Sequence, residues 1–188
     1  PLKPSSKTNN SAERVRSDVL YDHVMNKFKW GNVKNAKHLD AQSANDTVLF
    51  SSLFNTLTAS LIESGDLEKA KKVIAKQEQV IPNRYDGGLR SMMVKYDMAQ
   101  HLYQLGEVAK ANDTLMKNAV YIDQELSYLE DLSASKKSLT GTKNIQTGLY
   151  FMNEMLETSK YYQQEQLSKL LETKLNHLHQ RFAMYINE

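Results

Sequence analysis

Apolar side chains recur every three or four residues along most of the chain, a spacing that predicts amphipathic helices. The first strong pattern begins near Asn45 or Asp46 and is broken at Gly65. The residues before it predict only a short helix over 18–27, followed by a loop that reaches Ala44. The polar stretch 133–144 is predicted to be a surface loop. Further periodic segments predict helices over 67–80, 89–105, 107–132, 145–159 and 164–185.

Two helix pairs share one sequence pattern, which aligns on Gly65 and Gly106. Large apolar residues precede each glycine, and an alanine, Ala70 or Ala111, follows it five residues later. Glycine permits a tight turn, and alanine lets two helices approach closely, so both alanines are predicted to be buried. This order is typical of the tetratricopeptide repeat, although the glycines lie 41 residues apart rather than ~34. Asp123 stands where the terminal proline of the second repeat would fall.

The predicted fold is all-α: a tetratricopeptide-like helical repeat of antiparallel helix pairs, forming a short α-solenoid with a capping C-terminal helix. A flexible basic arm over 1–17 precedes a single domain over 18–188. Its helix pairs lie at about 46–81, 89–132 and 145–186, of which the third fits the repeat only loosely. An irregular helical bundle is the alternative. The concave face of stacked pairs is the default binding surface.

Composition excludes several kinds of chemistry. The 188 residues carry a net charge of +2, too small to indicate nucleic acid binding, and contain no cysteine for thiol catalysis or thiolate metal sites. No run approaches the ~18 apolar residues of a membrane span. His177 and His179 lie two apart on a predicted helix and therefore face different ways. The sequence predicts no catalytic residue, no cofactor and no metal.

The third predicted helix carries the residues that suit a binding groove. Methionine is flexible enough to adapt to different partners, and Met92, Met93 and Tyr96 stand close together in the sequence. Ordinary core packing is the alternative for all three, and a surface position is the alternative for His101. The candidate interaction residues are Tyr85, Arg90, Met92, Met93, Tyr96 and His101.

Charge is distributed unevenly along the chain. Residues 1–38 hold eight Lys or Arg against three Asp or Glu, a net of +5, whereas the remainder has a net of −3. Basic residues beside a membrane are attracted to anionic lipid, while a solubilising tail is the alternative. Trp30 is either an interfacial anchor or packed against the first repeat. The candidate membrane-proximal residues are Lys3, Lys7, Arg14, Arg16, Lys27, Lys29 and Trp30.

A family resemblance is carried by short runs spread over the chain. They are Met25-Asn26-Lys27-Phe28-Lys29-Trp30-Gly31-Asn32, Leu39-Asp40, Ala59-Ser60-Leu61-Ile62-Glu63-Ser64-Gly65, Lys69-Ala70, Val80-Ile81-Pro82, Tyr103-Gln104-Leu105-Gly106-Glu107 and Lys110-Ala111-Asn112. From about Asp18 onward the chain resembles the C-terminal soluble portion of large polytopic bacterial membrane proteins of unknown function. Those proteins are similar to GT-C glycosyltransferases of the protein O-mannosyltransferase type.

The resemblance implies a non-catalytic accessory domain that faces the periplasm and is attached to the membrane through a longer parent chain. The first residue is Pro1 rather than Met, which also leads us to expect a longer parent. The implied partner is a protein or peptide, or the membrane-embedded half of the same chain. No catalytic residue is carried over, because the catalytic half of such proteins has no counterpart here. The alternative is a free-standing, soluble tetratricopeptide adaptor in the cytoplasm, within a multiprotein assembly.

Overall fold

The computed structural model describes residues 16–131 and 139–183, and every element among them is helical. The helices are α1 (Ser17–Asp22), α2 (Ala41–Glu63), α3 (Leu67–Val80), α4 (Leu89–Gln104), α5 (Val108–Asp131), α6 (Leu139–Tyr161) and α7 (Glu165–Arg181). A π-helical turn, His23–Lys27, continues α1, and a 3-10 turn, Val33–Asn35, precedes α2. Among the described helices, none has both the length and the apolar character needed to cross a membrane.

The chain divides into two compact units. The N-terminal unit is Pro1–Gly106, and the C-terminal unit is Glu107–Glu188. The boundary falls between α4 and α5, so the two helices of the predicted pair 89–132 belong to different units.

The core of the N-terminal unit forms where α2 packs against α1, α3 and α4. Phe54 and Leu57 of α2 and Val73 of α3 have no exposed surface. The Asn55 side chain donates a hydrogen bond of 2.7 Å from Nδ2 to the carbonyl oxygen of Val94, which joins α2 to α4. Helix α2 is therefore the central element of this unit.

The C-terminal unit is built from α6, which packs against both α5 and α7. Gly148 of α6 lies so close to α5 that an added Cβ would be 3.2 Å from Leu126 Cδ2 and 3.3 Å from Ile122 Cγ2. Helix α7 also contacts α5, through an ion pair of 3.0 Å between Lys174 Nζ and Asp123 Oδ2. The absence of a side chain at Gly148 is what permits the close approach of α5 and α6.

We expect Gly148→Leu to destabilise the protein by about 1–3 kcal/mol, because the new side chain has no space between α5 and α6. Urea denaturation measures the effect. Gly141→Ala on the same helix is the matched control, since its Cβ would meet nothing within 4 Å. The control removes a helix glycine and should stabilise by up to ~1 kcal/mol. Equal midpoints for the two variants would contradict the packing described here.

Three inter-helix turns each contain one residue with a positive φ. The central residues are Gly65, Gly106 and Gln163, with φ of 79°, 77° and 57°. In the first and third turns, the amide after the left-handed residue donates to the carbonyl five positions earlier, at 2.8 Å in both. Small residues follow each left-handed residue at an interval of five: Ala70, Ala111 and Ser168. The α6–α7 turn therefore matches the α2–α3 turn in φ and hydrogen bonding, with glutamine in place of glycine.

Two predicted helix starts and one predicted helix end are wrong; the end is that of α7, which stops at Arg181 rather than at 185. Helix α2 begins at Ala41 rather than at 45 or 46, because the Asp40 carboxylate caps it by accepting a 2.8 Å hydrogen bond from the Ser43 amide. Helix α6 begins at Leu139, so residues 139–144 are helical and not part of a loop. The rest of that predicted loop lies outside the described residues. The predicted bounds of α3 and α4 agree with the structure to within one residue.

Candidate functional site

A partly open pocket of about 370 Å³ lies in the N-terminal unit, beside the first turns of α2. We call it the Trp30 pocket. Its lining residues are Phe28, Lys29, Trp30, Val33, Ser43, Asp46, Thr47, Phe50 and Ile81. The volume is near the lower end of the ~300–1,000 Å³ that small-ligand sites occupy.

Helix α2 supplies the polar wall of the pocket. Ser43, Asp46, Thr47 and Phe50 are spaced at i, i+3, i+4 and i+7, which places all four on one face of the helix. The helix starts early enough to present them because Asp40 caps it. The hydrogen bond that Asp40 accepts from the Ser43 backbone N–H also holds the pKa of its carboxyl below the usual value.

Aromatic rings, including that of Phe50 on α2, form a second part of the lining, which we call the aromatic wall. The ring centroid of Trp30 lies 5.7 Å from that of Phe28 and 5.4 Å from that of Phe50, with both pairs edge-to-face. Behind them, Phe54 lies 5.0 Å from Trp30 at an interplanar angle of 30° and is fully buried. Phe28 and Phe50 are 40% and 42% exposed, respectively. The wall is thus anchored in the core and open at its front.

Two basic residues hold the segment that carries this wall against the end of α3. Lys34 Nζ donates to the carbonyl oxygens of Glu78, at 2.6 Å, and Ile81, at 3.0 Å. Arg84 Nη1 donates to the carbonyl oxygen of Ala36 at 2.6 Å. Cations are stabilising near the carbonyls that end a helix. The segment that carries Phe28 and Trp30 is therefore held in place without a ligand.

Trp30 contains a buried polar atom without a hydrogen-bond partner. Its indole Nε1 is shielded from solvent and meets no acceptor among the described residues. Such a donor costs about 1–3 kcal/mol in lost hydration. Ring packing on α2, rather than a hydrogen bond, therefore sets the position of Trp30, which is the packing alternative predicted from the sequence.

Three residues of the predicted groove on α4 lie at different depths. Met92 and Tyr96 are buried in the core, whereas Met93 is 39% exposed. Because only Met93 reaches the surface, the three do not line one groove. Adjacent residues of an α-helix point in different directions, so Met92 faces the core while Met93 reaches the surface.

The other candidate interaction residues lie on and just before α4. Tyr85 is half-buried and its ring centroid lies 5.1 Å from Lys95 Nζ, while the exposed Arg90 approaches Asn45 Oδ1 at 3.4 Å. His101 is half-buried, and burial lowers the pKa of its imidazole. None of the six candidate interaction residues lines the Trp30 pocket.

Among the candidate membrane-proximal residues, Lys3, Lys7 and Arg14 lie outside the described part of the chain. Arg16 pairs with Asp18 at 3.2 Å, and Lys27 pairs with Asp22 at 2.6 Å. Lys29 lines the Trp30 pocket and makes no ion pair with a described residue. Two of the three described basic candidates, Arg16 and Lys27, are therefore paired with carboxylates that are close to them in the sequence.

Most of the pocket was missed by sequence reasoning, which singled out only Lys29 and Trp30. The late predicted start of α2 hid the spacing of Ser43, Asp46, Thr47 and Phe50. One available signal was the density of aromatic residues at Phe28, Trp30, Phe50 and Phe54. Within residues 16–131 and 139–183, no three His, Asp or Glu side chains cluster in a way that could hold a metal ion.

Comparison of the chain with protein-family models, with curated proteins and with solved structures finds no match.

Proposed function

We propose that this chain is a non-catalytic, tetratricopeptide-like domain that binds a polypeptide partner, and that the Trp30 pocket is where the partner docks. The main support for the proposal is that the pocket combines partly exposed aromatic rings with a few polar groups, and that its lining is already held in place. Aromatic residues set in a pocket dominate the binding energy of many protein interfaces. A partner side chain that covers Phe28 and Phe50 removes apolar surface from water, which favours association.

The repeat part of the proposal is supported by the recurrent turns. Three successive helix-turn-helix segments, α2 to α3, α4 to α5 and α6 to α7, each contain a left-handed residue in the turn, and a small residue follows it at the same interval. Tetratricopeptide repeats use this combination of a glycine turn and a small helix-contact residue. Ala70 and Ala111 are both fully buried, as such contact residues should be.

The family resemblance supports a place in a larger membrane protein. On this view the domain faces the periplasm, next to a glycosyltransferase-like membrane half, and it recognises acceptor polypeptide or braces that half. The free-standing cytoplasmic adaptor remains the second candidate. The genomic sequence ahead of Pro1 separates them: about a dozen encoded apolar spans support the first, and a start codon directly upstream supports the second.

Selection of peptides from a random display library against the 188-residue chain tests the docking surface. We expect enriched peptides to bind the native chain and to lose about tenfold in affinity for Phe50→Ala, since a contact aromatic is worth ~1.4 kcal/mol or more. Tyr150→Ala is the matched control, because Tyr150 is an exposed aromatic of α6 in the C-terminal unit. Its affinity should be unchanged. Peptides that bind Phe50→Ala and the native chain equally well would place the docking surface elsewhere.

A further inference from the structure

We infer that the Trp30 pocket takes a basic side chain, Lys or Arg, from the partner polypeptide. This inference rests on the proposed function and adds the chemistry of the residue that is recognised. It follows from three features of the pocket: its hydroxyl groups have already used their protons, its carboxylate is free to accept, and its aromatic rings attract cations.

The hydroxyl groups of the polar wall already donate hydrogen bonds, one within α2 and one to its cap residue, Asp40. Ser43 Oγ donates to Asp40 Oδ2 at 3.1 Å, and Thr47 Oγ1 donates to the carbonyl oxygen of Ala44 at 2.7 Å. A hydroxyl has one proton and two lone pairs, so each oxygen can only accept a further hydrogen bond. A ligand group that hydrogen-bonds to either hydroxyl oxygen must therefore be a donor.

The carboxylate of Asp46 adds negative charge to the same wall. Its Oδ1 accepts a 2.8 Å hydrogen bond from Gln42 Nε2, and it forms no ion pair with a described residue. An ionised carboxylate has about four acceptor positions, of which this bond uses one. Both Lys and Arg are donor-only groups with a positive charge, so they complement Asp46 directly.

The aromatic wall suits the same ligand. Cations bind over the faces of Trp, Tyr and Phe, and they bind most strongly to Trp. Because Phe28 and Phe50 pack edge-to-face on Trp30, neither phenyl ring lies parallel to the indole. The methylene groups of a Lys or Arg side chain pack on apolar surface while the charged end meets polar groups. The pocket offers both surfaces in a volume of about 370 Å³.

Lys29 also lines the pocket, and its positive charge allows a cationic ligand to be distinguished from an anionic one. It brings a positive charge close to the ligand, so a cationic ligand competes with it and an anionic ligand gains from it. Asp46 has the opposite effect on each. Neutralising Lys29 and neutralising Asp46 must therefore move the affinity of a charged ligand in opposite directions.

Fluorescence titration of the 188-residue chain, with selective excitation of tryptophan, is the experiment, because Trp30 is the one tryptophan and lines the pocket. The probes are a blocked Ala-Arg-Ala peptide and its citrulline counterpart, which has the same shape without the charge. We expect a saturable change with the arginine peptide and none with citrulline. Asp46→Asn should weaken binding about fivefold, and Lys29→Gln should tighten it about twofold. Thermal melts check that both variants keep the native fold.

Three results would overturn the inference: equal binding of citrulline, reversed effects of the two variants, or tighter binding of tetramethylammonium than of the arginine peptide. The last would make the pocket a site for small cations rather than for a peptide side chain. Display-selected peptides that depend on Phe50 but contain no basic residue would refute the inference alone. Peptides whose affinity is the same for Phe50→Ala and for the native chain would refute the proposed function as well.

Discussion

Replacing Ala70 by Lys is expected to lower the free energy of unfolding by at least ~2 kcal/mol. Ala70 has no exposed surface, and its helix, α3, packs against α2. The new side chain has to push the helices apart and leave an ammonium group without a partner in an apolar core. Urea denaturation followed by circular dichroism measures the loss as a lower midpoint.

Ala75→Lys provides the control for this prediction. Ala75 is exposed on the same helix, five residues further on, so its replacement adds the same charge without entering the core. We expect its midpoint to lie close to that of the native protein, since surface substitutions cost little. If Ala70→Lys melts like Ala75→Lys, then Ala70 is not the helix-contact residue of a repeat.

Phe54→Ala is expected to have the largest effect on stability, a loss of about 3–5 kcal/mol. Phe54 is fully buried and supports the face of Trp30 at a centroid distance of 5.0 Å. Its removal leaves a cavity beneath the Trp30 pocket and takes away the packing that positions the indole. Denaturant unfolding measures the loss, and Trp30 emission should shift toward that of a solvated indole.

Phe50→Ala is the matched comparison, one helical turn earlier on α2. Phe50 also contacts Trp30, at 5.4 Å, but it is 42% exposed, so its truncation should cost only about 1 kcal/mol. The two variants separate support of the fold from binding of a partner: Phe54→Ala should lose mainly stability, and Phe50→Ala mainly peptide affinity. Equal losses of stability would contradict the assignment of Phe54 to the core and Phe50 to the pocket wall.

The parts of the fold that the sequence predicts well are those with a clear apolar period. Helix α3 has the predicted bounds because Ala70, Val73 and Ile74 mark its buried face, and Pro82 follows its end. The turns at Gly65 and Gly106 were predictable because a left-handed residue is normally glycine. The same rule hid the third turn, where Gln163 adopts the left-handed conformation.

The two wrongly predicted helix starts have a common physical origin. Most of the residues that begin α2 and α6 are polar or small, which is typical of loops, but nothing in them forbids a helix. Once the apolar residues further along each helix are packed, extending it costs little. At α2 the Asp40 cap fixes the start, and the Ser43 amide and hydroxyl both bond to it.

The Trp30 pocket was not predictable from residue types alone. Its lining comes from three separate segments, around Trp30, on α2 and at Ile81. Lys34 and Arg84 hold the first segment in place through backbone carbonyls, which every residue possesses. Such contacts leave no pattern in the sequence, so only the folded structure brings the aromatic rings and Asp46 together.

The most direct test of the central claim is chemical-shift mapping of the 188-residue chain by NMR with a display-selected peptide. We expect the amide signals of Phe28, Trp30, Asp46 and Phe50, and the indole N–H signal of Trp30, to shift progressively as peptide is added. Signals of α7 serve as an internal reference and should stay in place. A bound peptide that leaves the Trp30 pocket signals unmoved and shifts those of another surface would contradict it.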